Sequence, residues 1–148
     1  LGANLLGLVL VATGLLRKRK EALFARDLGL KRRTLARPVA HKRLKSLRRL
    51  ARSQKQEEAG RFIDEAEKVL SDYLSDKFNL SAYSFTREWL EQKLAELWGA
   101  EDPGLKEIHE FYEGVTEIRF GRGVIPTRER EQYLTLIEKT IRRIEKSL

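Results

Sequence analysis

The sequence contains no cysteine and no methionine, and only two histidines and three prolines among its 148 residues. The lack of cysteine excludes disulfide bonds, thiolate nucleophiles and zinc sites built on sulfur, and it agrees with a reducing compartment. The histidines, His41 and His109, lie far apart and form no metal-ligand or catalytic spacing. Because residue 1 is a leucine inside an apolar run, we expect the natural start of the protein to lie upstream.

Motifs that carry catalytic chemistry are also missing. The chain has no H-E-x-x-H, G-x-S-x-G, P-loop or G-x-G-x-x-G pattern, and the G-R-G at 121–123 is too short to cradle a phosphate. Carboxylate pairs such as Glu107 and Glu110 fall on polar helical faces, where solvated charge is the ordinary explanation. We therefore predict a protein with no catalytic, cofactor-binding or metal-binding residues. The alternative is an enzyme whose active site is not visible as a motif.

The net charge of +8 is concentrated in one segment. Residues 17–55 contain 16 lysines and arginines but only two acids, Glu21 and Asp27, which gives a net charge of +14. The rest of the chain therefore carries a net charge of −6. The basicity belongs to a segment that directly follows the apolar residues, and the region after it is mildly acidic.

Residues 1–16 are predicted to be the end of a transmembrane helix. They carry no charge, and a complete span takes about 20 apolar residues, so the missing turns would lie upstream. Cations follow the run instead of preceding it, which is unlike a signal peptide. By the positive-inside rule, these cations place the residues after about 17 in the cytoplasm. A buried core helix is the alternative. The predicted topology determinants are Arg17, Lys18, Arg19 and Lys20.

Residues 17–55 are predicted to form a basic juxtamembrane segment with an amphipathic helix. The short apolar pattern at 21–37 is suited to lie along the membrane surface, and Pro38 fits the first position of a helix. An apolar stripe at spacings of four, three and four then follows on a basic cylinder. Such a helix binds anionic lipid, acidic protein or nucleic acid, or is a solvated linker. The predicted lipid-facing residues are Arg43, Arg48, Arg49 and Arg52.

Nucleic-acid binding through residues 31–55 is the main alternative function. The segment is rich in cations that can contact phosphates with a steep dependence on salt. It has no interleaved aromatic residues, however, so we expect no specific nucleic-acid partner. The neighbouring membrane run favours anionic lipid instead.

Residues 56–148 are predicted to be an all-α cytoplasmic domain of about four helices. Apolar residues recur with helical period over 56–78, and no stretch alternates with period two for long enough to form a strand. Ser84 or Thr86 is predicted to cap a second helix that ends at Gly99. No internal repeat is apparent.

The remaining two helices have their own start signals. Asp102 followed by Pro103 predicts a cap and first position, and Thr127 is predicted to cap a last helix that runs to the chain end. The residues between them, RFGRG at 119–123, are predicted to form a loop.

This loop holds the most distinctive candidates for partner docking. Arginine and aromatic residues are enriched at binding hot spots, although Phe120 is more strongly expected to plug the end of the bundle. The two tryptophans are nine residues apart on one helix, so we expect one of them to be exposed. The candidate docking residues are Trp98, Arg119, Phe120 and Arg122.

The order of features and several local motifs resemble the carboxyl-terminal part of the BatD-type aerotolerance proteins of bacteria. The similar stretches are FIDEAEKVLSDYLSDKFNL at 62–80, SFTREWLEQKL at 84–94, EIRFGRG at 117–123 and the last helix. Together with the apolar run and the basic helix, the resemblance covers essentially the whole chain.

The resemblance implies a particular role. The upstream part would hold extracytoplasmic β-sandwich domains, and the protein would lie in the bacterial inner membrane. Its partners would be a MoxR-type AAA+ ATPase and von Willebrand factor A-domain membrane proteins. The resemblance provides no catalytic residues, so the expected function is a non-catalytic scaffold or adaptor in oxygen or stress tolerance or envelope maintenance.

Overall fold

A single long helix dominates the structure. The computed structural model describes the backbone of residues 2–81 and 83–148, and the side chains of residues 11–81, 83–121 and 123–148. Helix α1 extends over Gly2–Arg52, which is 51 residues without interruption. The predicted helix start at Pro38 is therefore wrong, because the helix runs through this residue.

Burial on both sides of Pro38 explains why the helix continues. A proline inside a helix removes one backbone hydrogen bond and crowds the preceding turn. Here Ala36 and Ala40, two residues before and after it, are only 1% and 2% exposed in the core. Their packing offsets the cost of the proline, whose own side chain lies at the surface.

Four shorter helices follow α1. No described residue is in a strand, so the predicted all-α class is confirmed. The bounds are Gln56–Lys77 for α2, Arg87–Trp98 for α3, Pro103–Glu117 for α4 and Thr127–Ser147 for α5.

The sequence predicted most of the helix ends correctly. Thr86 caps α3, since its hydroxyl accepts a hydrogen bond from the Trp89 N–H at 3.2 Å. Asp102 caps α4 by accepting from the Gly104 N–H at 2.8 Å. Gly99 ends α3 with a φ of +97°, a backbone conformation that favours glycine.

Two predicted boundaries are wrong. Thr127 is the first helical residue of α5 and Pro126 occupies the cap position, where no side chain caps the helix. The expected loop at 119–123 is mostly helical, because α4 continues directly into a π-helical segment, Ile118–Arg122. The chain leaves this segment at Gly123, whose φ is +62°.

The second half of α1 belongs to the same hydrophobic core as the four shorter helices. This half packs against α2 and α5, and α4 and α3 close the other side. Leu44, Leu47 and Leu50 are at most 4% exposed, and they lie in one cluster with Phe62 of α2 and Ile137 of α5. The predicted boundary between 17–55 and 56–148 is therefore not a packing boundary.

Ion pairs line the contact between α1 and its neighbours. Arg43 pairs with Asp72 of α2 at 2.6 Å, and Arg48 pairs with Glu138 of α5 at 2.7 Å. The basic helix and the more acidic remainder of the chain thus attract each other as well as sharing apolar contacts.

One arginine is buried where α1 ends. Arg130 of α5 is 4% exposed, and its Nη1 donates to the carbonyl of Leu50 at 2.8 Å. Its Nη2 donates to the Thr127 hydroxyl at 3.1 Å, while its Nε has no partner among the described residues. A cation is favoured at this place, because the last carbonyls of a helix carry partial negative charge.

No helix in the described part of the chain has an apolar stretch of the length that a membrane crossing requires. The predicted partial span at residues 1–16 therefore has no support from the structure and stays a prediction.

Candidate membrane-facing and docking surfaces

The first half of α1 extends away from the core. Every residue from 11 to 28, here called the free half of α1, is exposed, and the core contacts begin only at Gly29. The large apolar side chains on it are 50 to 69% exposed: Val11, Leu15, Leu16, Leu23, Phe24 and Leu28. This stretch is roughly 27 Å long, and its apolar residues are not covered by other described residues.

The four predicted topology determinants lie inside this free half. Residues 17–20 are exposed and form no ion pair or side-chain hydrogen bond with another described residue. They separate the uncharged residues before position 17 from the mixed sequence after position 20. The structure therefore leaves these cations available to anionic headgroups.

The predicted lipid-facing residues farther along α1 fall into two classes. Arg43 and Arg48 are turned toward α2 and α5 in ion pairs, so the structure gives no support to the prediction that they face lipid, which stays a prediction. Arg49 and Arg52 are exposed and form no ion pair within the described residues. The sequence did not reveal these ion pairs, because the acidic residues that form them belong to helices far along the chain.

Arg49 and Arg52 also lie far along α1 from the cations at 17–20. Over the shorter stretch from Lys20 to Arg43 the continuous helix already rises by roughly 35 Å at 1.5 Å per residue. If residues before position 17 enter a membrane upright, Arg49 and Arg52 lie too far along α1 to reach the same headgroups. Their surface then faces the aqueous side.

A shallow cationic surface lies where α1 turns into α2. Its cations are Lys45, Arg48, Arg49, Arg52 and Lys55, and they surround Ser53 and Glu58. The pKa of Glu58 is lowered, first by a hydrogen bond from Ser53 and then by the surrounding cations. This surface is suited to an anionic group on a partner.

The π-helical segment presents an exposed aromatic residue on a fixed base. Phe120 is 85% exposed, so the expectation that it plugs the core is wrong, and Ile118 and Ile125 are buried on either side of it instead. Arg119 pairs with Asp64 at 3.0 Å and with Glu67, both on α2. The anchored arginine holds the segment against α2 while Phe120 points into solvent. The side chain of Arg122 lies outside the described set.

Trp98, the other docking candidate, is half-buried against the core. The guanidinium of Arg143 lies over its ring, 4.2 Å from the centroid. That guanidinium also pairs with Asp102 at 2.5 Å, which holds it in place. Hydrogen bonds from Arg143 and from the Gly104 N–H lower the pKa of Asp102 to about 2. Trp98 thus belongs to a packed corner of the bundle, which leaves Phe120 as the more accessible candidate.

Sequence reasoning missed two surface features. Tyr83 is 97% exposed in the turn before α3, although no periodicity marks it. Half-buried Arg87 and Glu91 form a network with exposed His109 between α3 and α4, in which His109 Nδ1 lies 2.8 Å from Glu91 and 3.0 Å from Arg87. Helical spacing alone does not reveal this network, since its members come from two helices.

No group of three or more potential ligand side chains that could hold a metal ion occurs in the described residues. Comparison with protein-family models, curated proteins and solved structures finds no match for the chain. The resemblance to the BatD-type proteins, and the absence of a cofactor or catalytic role, stay predictions.

Proposed function

We propose that the protein is a membrane-anchored, non-catalytic adaptor whose helical domain binds protein partners. The observation that carries the proposal is the free half of α1, which is exposed on all sides and changes from uncharged apolar residues to four consecutive cations at positions 17–20. Residues 2–16 supply most of the roughly 20 apolar residues of a span.

In this arrangement α1 is both an anchor and a stalk. The packed second half of α1 is continuous with the free half, so the core is attached rigidly to whatever holds the first residues. The domain then lies on the cytoplasmic side of a bacterial inner membrane, by the positive-inside rule.

The membrane part is tested by fractionation. Membranes from cells that express the protein are washed with alkaline carbonate, which strips peripheral proteins. The unaltered protein stays in the pellet, whereas V11R with L15R moves to the supernatant, since arginine is costly inside a bilayer. The matched control is L23R with L30R, two equally exposed leucines beyond the cations, which leaves the protein in the pellet. Release of the unaltered protein would reject the anchor.

The adaptor part rests on Phe120, an exposed aromatic on a segment fixed by Arg119. Rigid, exposed aromatics are favoured anchors at protein interfaces. Following the resemblance, we propose that the partners are a MoxR-type AAA+ ATPase and von Willebrand A-domain membrane proteins.

Capture from detergent-solubilised bacterial membranes tests this docking site. The full chain is the bait, F120A is the variant, and Y83A is the control because Tyr83 is an exposed aromatic elsewhere on the domain. Loss of an AAA+ ATPase or A-domain protein with F120A alone supports the proposal. Equal recovery with all three baits, or recovery of neither protein class, contradicts it.

A second candidate function is anion binding at the cationic surface between α1 and α2. The observation that favours it is the grouping of Arg49, Arg52 and Lys55 on this surface. It predicts binding of nucleic acid or anionic vesicles that weakens steeply with salt. R49E with R52E would abolish such binding. Retention of binding in that variant would reject this surface.

A further inference from the structure

Helix α1 contains an 11-residue repeat, which lies outside the 56–148 region for which no repeat was predicted. Residues 20–30, 31–41 and 42–52 read KEALFARDLGL, KRRTLARPVAH and KRLKSLRRLAR. In all three units the first residue is lysine, the seventh arginine, the ninth leucine or valine, and the tenth glycine or alanine. Eleven residues make three turns of about 3.67 residues each, so equivalent positions stay on one face of a nearly straight helix.

The second and third units show what one face of the repeat binds. Their sixth and tenth residues are buried in the core at 2% exposure or less: Ala36, Ala40, Leu47 and Ala51. Their second residues, Arg32 and Arg43, pair with Asp76 at 2.9 Å and Asp72 at 2.6 Å. Both acids belong to α2, whose sequence carries seven acids and three basic residues. On this face, the repeat holds an acidic helix by apolar contacts flanked by cations.

A second face of the repeat has no partner within the described residues. The fifth and ninth positions of the first two units form an apolar stripe that we call the outer stripe. It comprises Phe24, Leu28, Leu35 and Val39, which are 69, 50, 44 and 46% exposed. The stripe ends in the third unit, where the fifth position is the polar Ser46 and Leu50 is buried.

A row of lysines runs beside the outer stripe. Lys20 and Lys31 precede Phe24 and Leu35 by four positions, and Lys42 follows Val39 by three, so the three lysines lie along one side of the stripe. All three are exposed and form no ion pair or side-chain hydrogen bond with another described residue. The outer stripe thus repeats the combination that holds α2: apolar residues beside a row of cations.

Charge decides which occupant fits this surface. A second copy of the chain would bring two rows of lysines together, which is unfavourable. A membrane entered by residues before position 17 would lie at one end of the stripe. It would not cover the stripe, which continues for roughly 22 Å from Phe24 to Val39. An acidic helix satisfies both the apolar residues and the lysines along this length.

We infer that the outer stripe of α1 is a docking surface for an acidic amphipathic α-helix of a partner protein. This inference rests on the adaptor role proposed above and gives it a second contact surface, independent of membrane anchoring and of Phe120. The partner helix lies along the stalk, with carboxylates toward the lysine row and its apolar face on the stripe.

Two designed peptides test the inference. Both are 28-residue amphipathic helices with the same leucine face, flanked by glutamates in one and by lysines in the other. Each carries a fluorophore, and its binding to the full chain in detergent micelles is measured by anisotropy. The acidic peptide binds and the basic peptide does not.

Substitutions on the surface locate the binding. F24S with L35S places serine at the fifth position of the first two units, as Ser46 does in the third. This variant weakens binding of the acidic peptide by about tenfold or more. K31E with K42E transfers the preference to the basic peptide. The control L23S with L30S alters two leucines of 61 and 64% exposure outside the stripe and leaves the affinity unchanged.

Three results would overturn the inference: binding of neither peptide, equal weakening by the control variant, or insertion of the stripe into anionic vesicles in place of peptide binding. Failure of the outer stripe to bind an acidic helix can be distinguished from failure of the proposed adaptor role. F120A and V11R with L15R leave peptide binding intact, whereas F24S with L35S leaves membrane pelleting intact.

Discussion

The two halves of α1 have similar helix-forming sequences and opposite surroundings. From position 36 to 51 its apolar residues, apart from Val39, are buried against α2 and α5, whereas from 11 to 28 every residue is exposed. The boundary is set by the length of α2, which ends at Lys77 and reaches Gly29 only through the side chain of Asn79. Burial in this helix is thus decided by whether another helix lies within reach, and not by composition.

The comparison predicts that leucines of the two halves differ most in their effect on stability. L47A removes a side chain that is 1% exposed and leaves a cavity, so it lowers the free energy of unfolding by about 2 to 5 kcal/mol. L23A, at a leucine that is 61% exposed, changes it by less than about 0.5 kcal/mol. Urea denaturation followed by circular dichroism measures both. Equal losses would mean that the free half is covered.

The next largest loss of stability is expected at the end of the packed half of α1, where Arg130 is buried. R130M removes the donors to the Leu50 carbonyl and the Thr127 hydroxyl, and it lowers the free energy of unfolding by about 1 to 3 kcal/mol. The same denaturation experiment applies, with R128M as the exposed control. A stabilised R130M protein would show instead that burial of this charge costs more than its hydrogen bonds contribute.

Acid should lower the free energy of unfolding, in part by protonating Asp102. Its pKa is lowered to about 2 by Arg143 and the Gly104 N–H, so its contribution to stability is complete at neutral pH. That contribution is lost as the pH falls from about 4, the unfolded value, toward 2. In denaturation curves over this range D102N should lack this part of the acid sensitivity. E101Q, which changes an exposed neighbouring carboxylate, should retain it.

The smallest predicted effect lies at the boundary itself. A Cβ at Gly29 would lie 2.8 Å from Asn79 Nδ2, so G29A alone gains little of the roughly 1 kcal/mol that alanine usually contributes in a helix. In an N79G background the obstruction is gone, and glycine also suits the φ of +53° at position 79. G29A should then stabilise by up to about 1 kcal/mol in thermal denaturation. The same gain in both backgrounds would show that the two residues are not in contact.

The short helices could be predicted because each carries local signals. The period of the apolar residues and the caps Thr86, Asp102 and Gly99 determine α2, α3 and α4 within a residue or two. Helix α1 could not be predicted in the same way. Pro38 and Gly29 are local breakers that its tertiary contacts override, and its charged residues look alike before α2 and α5 are placed beside them.

The candidate surfaces were predicted less well for a related reason. Phe120 and Trp98 are both large aromatics near helix ends, yet one is 85% exposed and the other is covered by Arg143. This difference depends on residues far apart in sequence, such as Asp64 holding Arg119 and Asp102 holding Arg143. Local pattern does not encode such contacts.

The most direct test of the account is the accessibility of three positions along α1 in lipid vesicles. The chain has no cysteine, so L15C, L28C and L47C each introduce a unique site for a membrane-impermeant maleimide. We predict that L15C is protected only in vesicles, that L28C reacts with and without lipid, and that L47C reacts only after unfolding. Rapid labelling of L15C in vesicles, or of L47C in the folded protein, would contradict the division of α1 into an anchor, a stalk and a core helix.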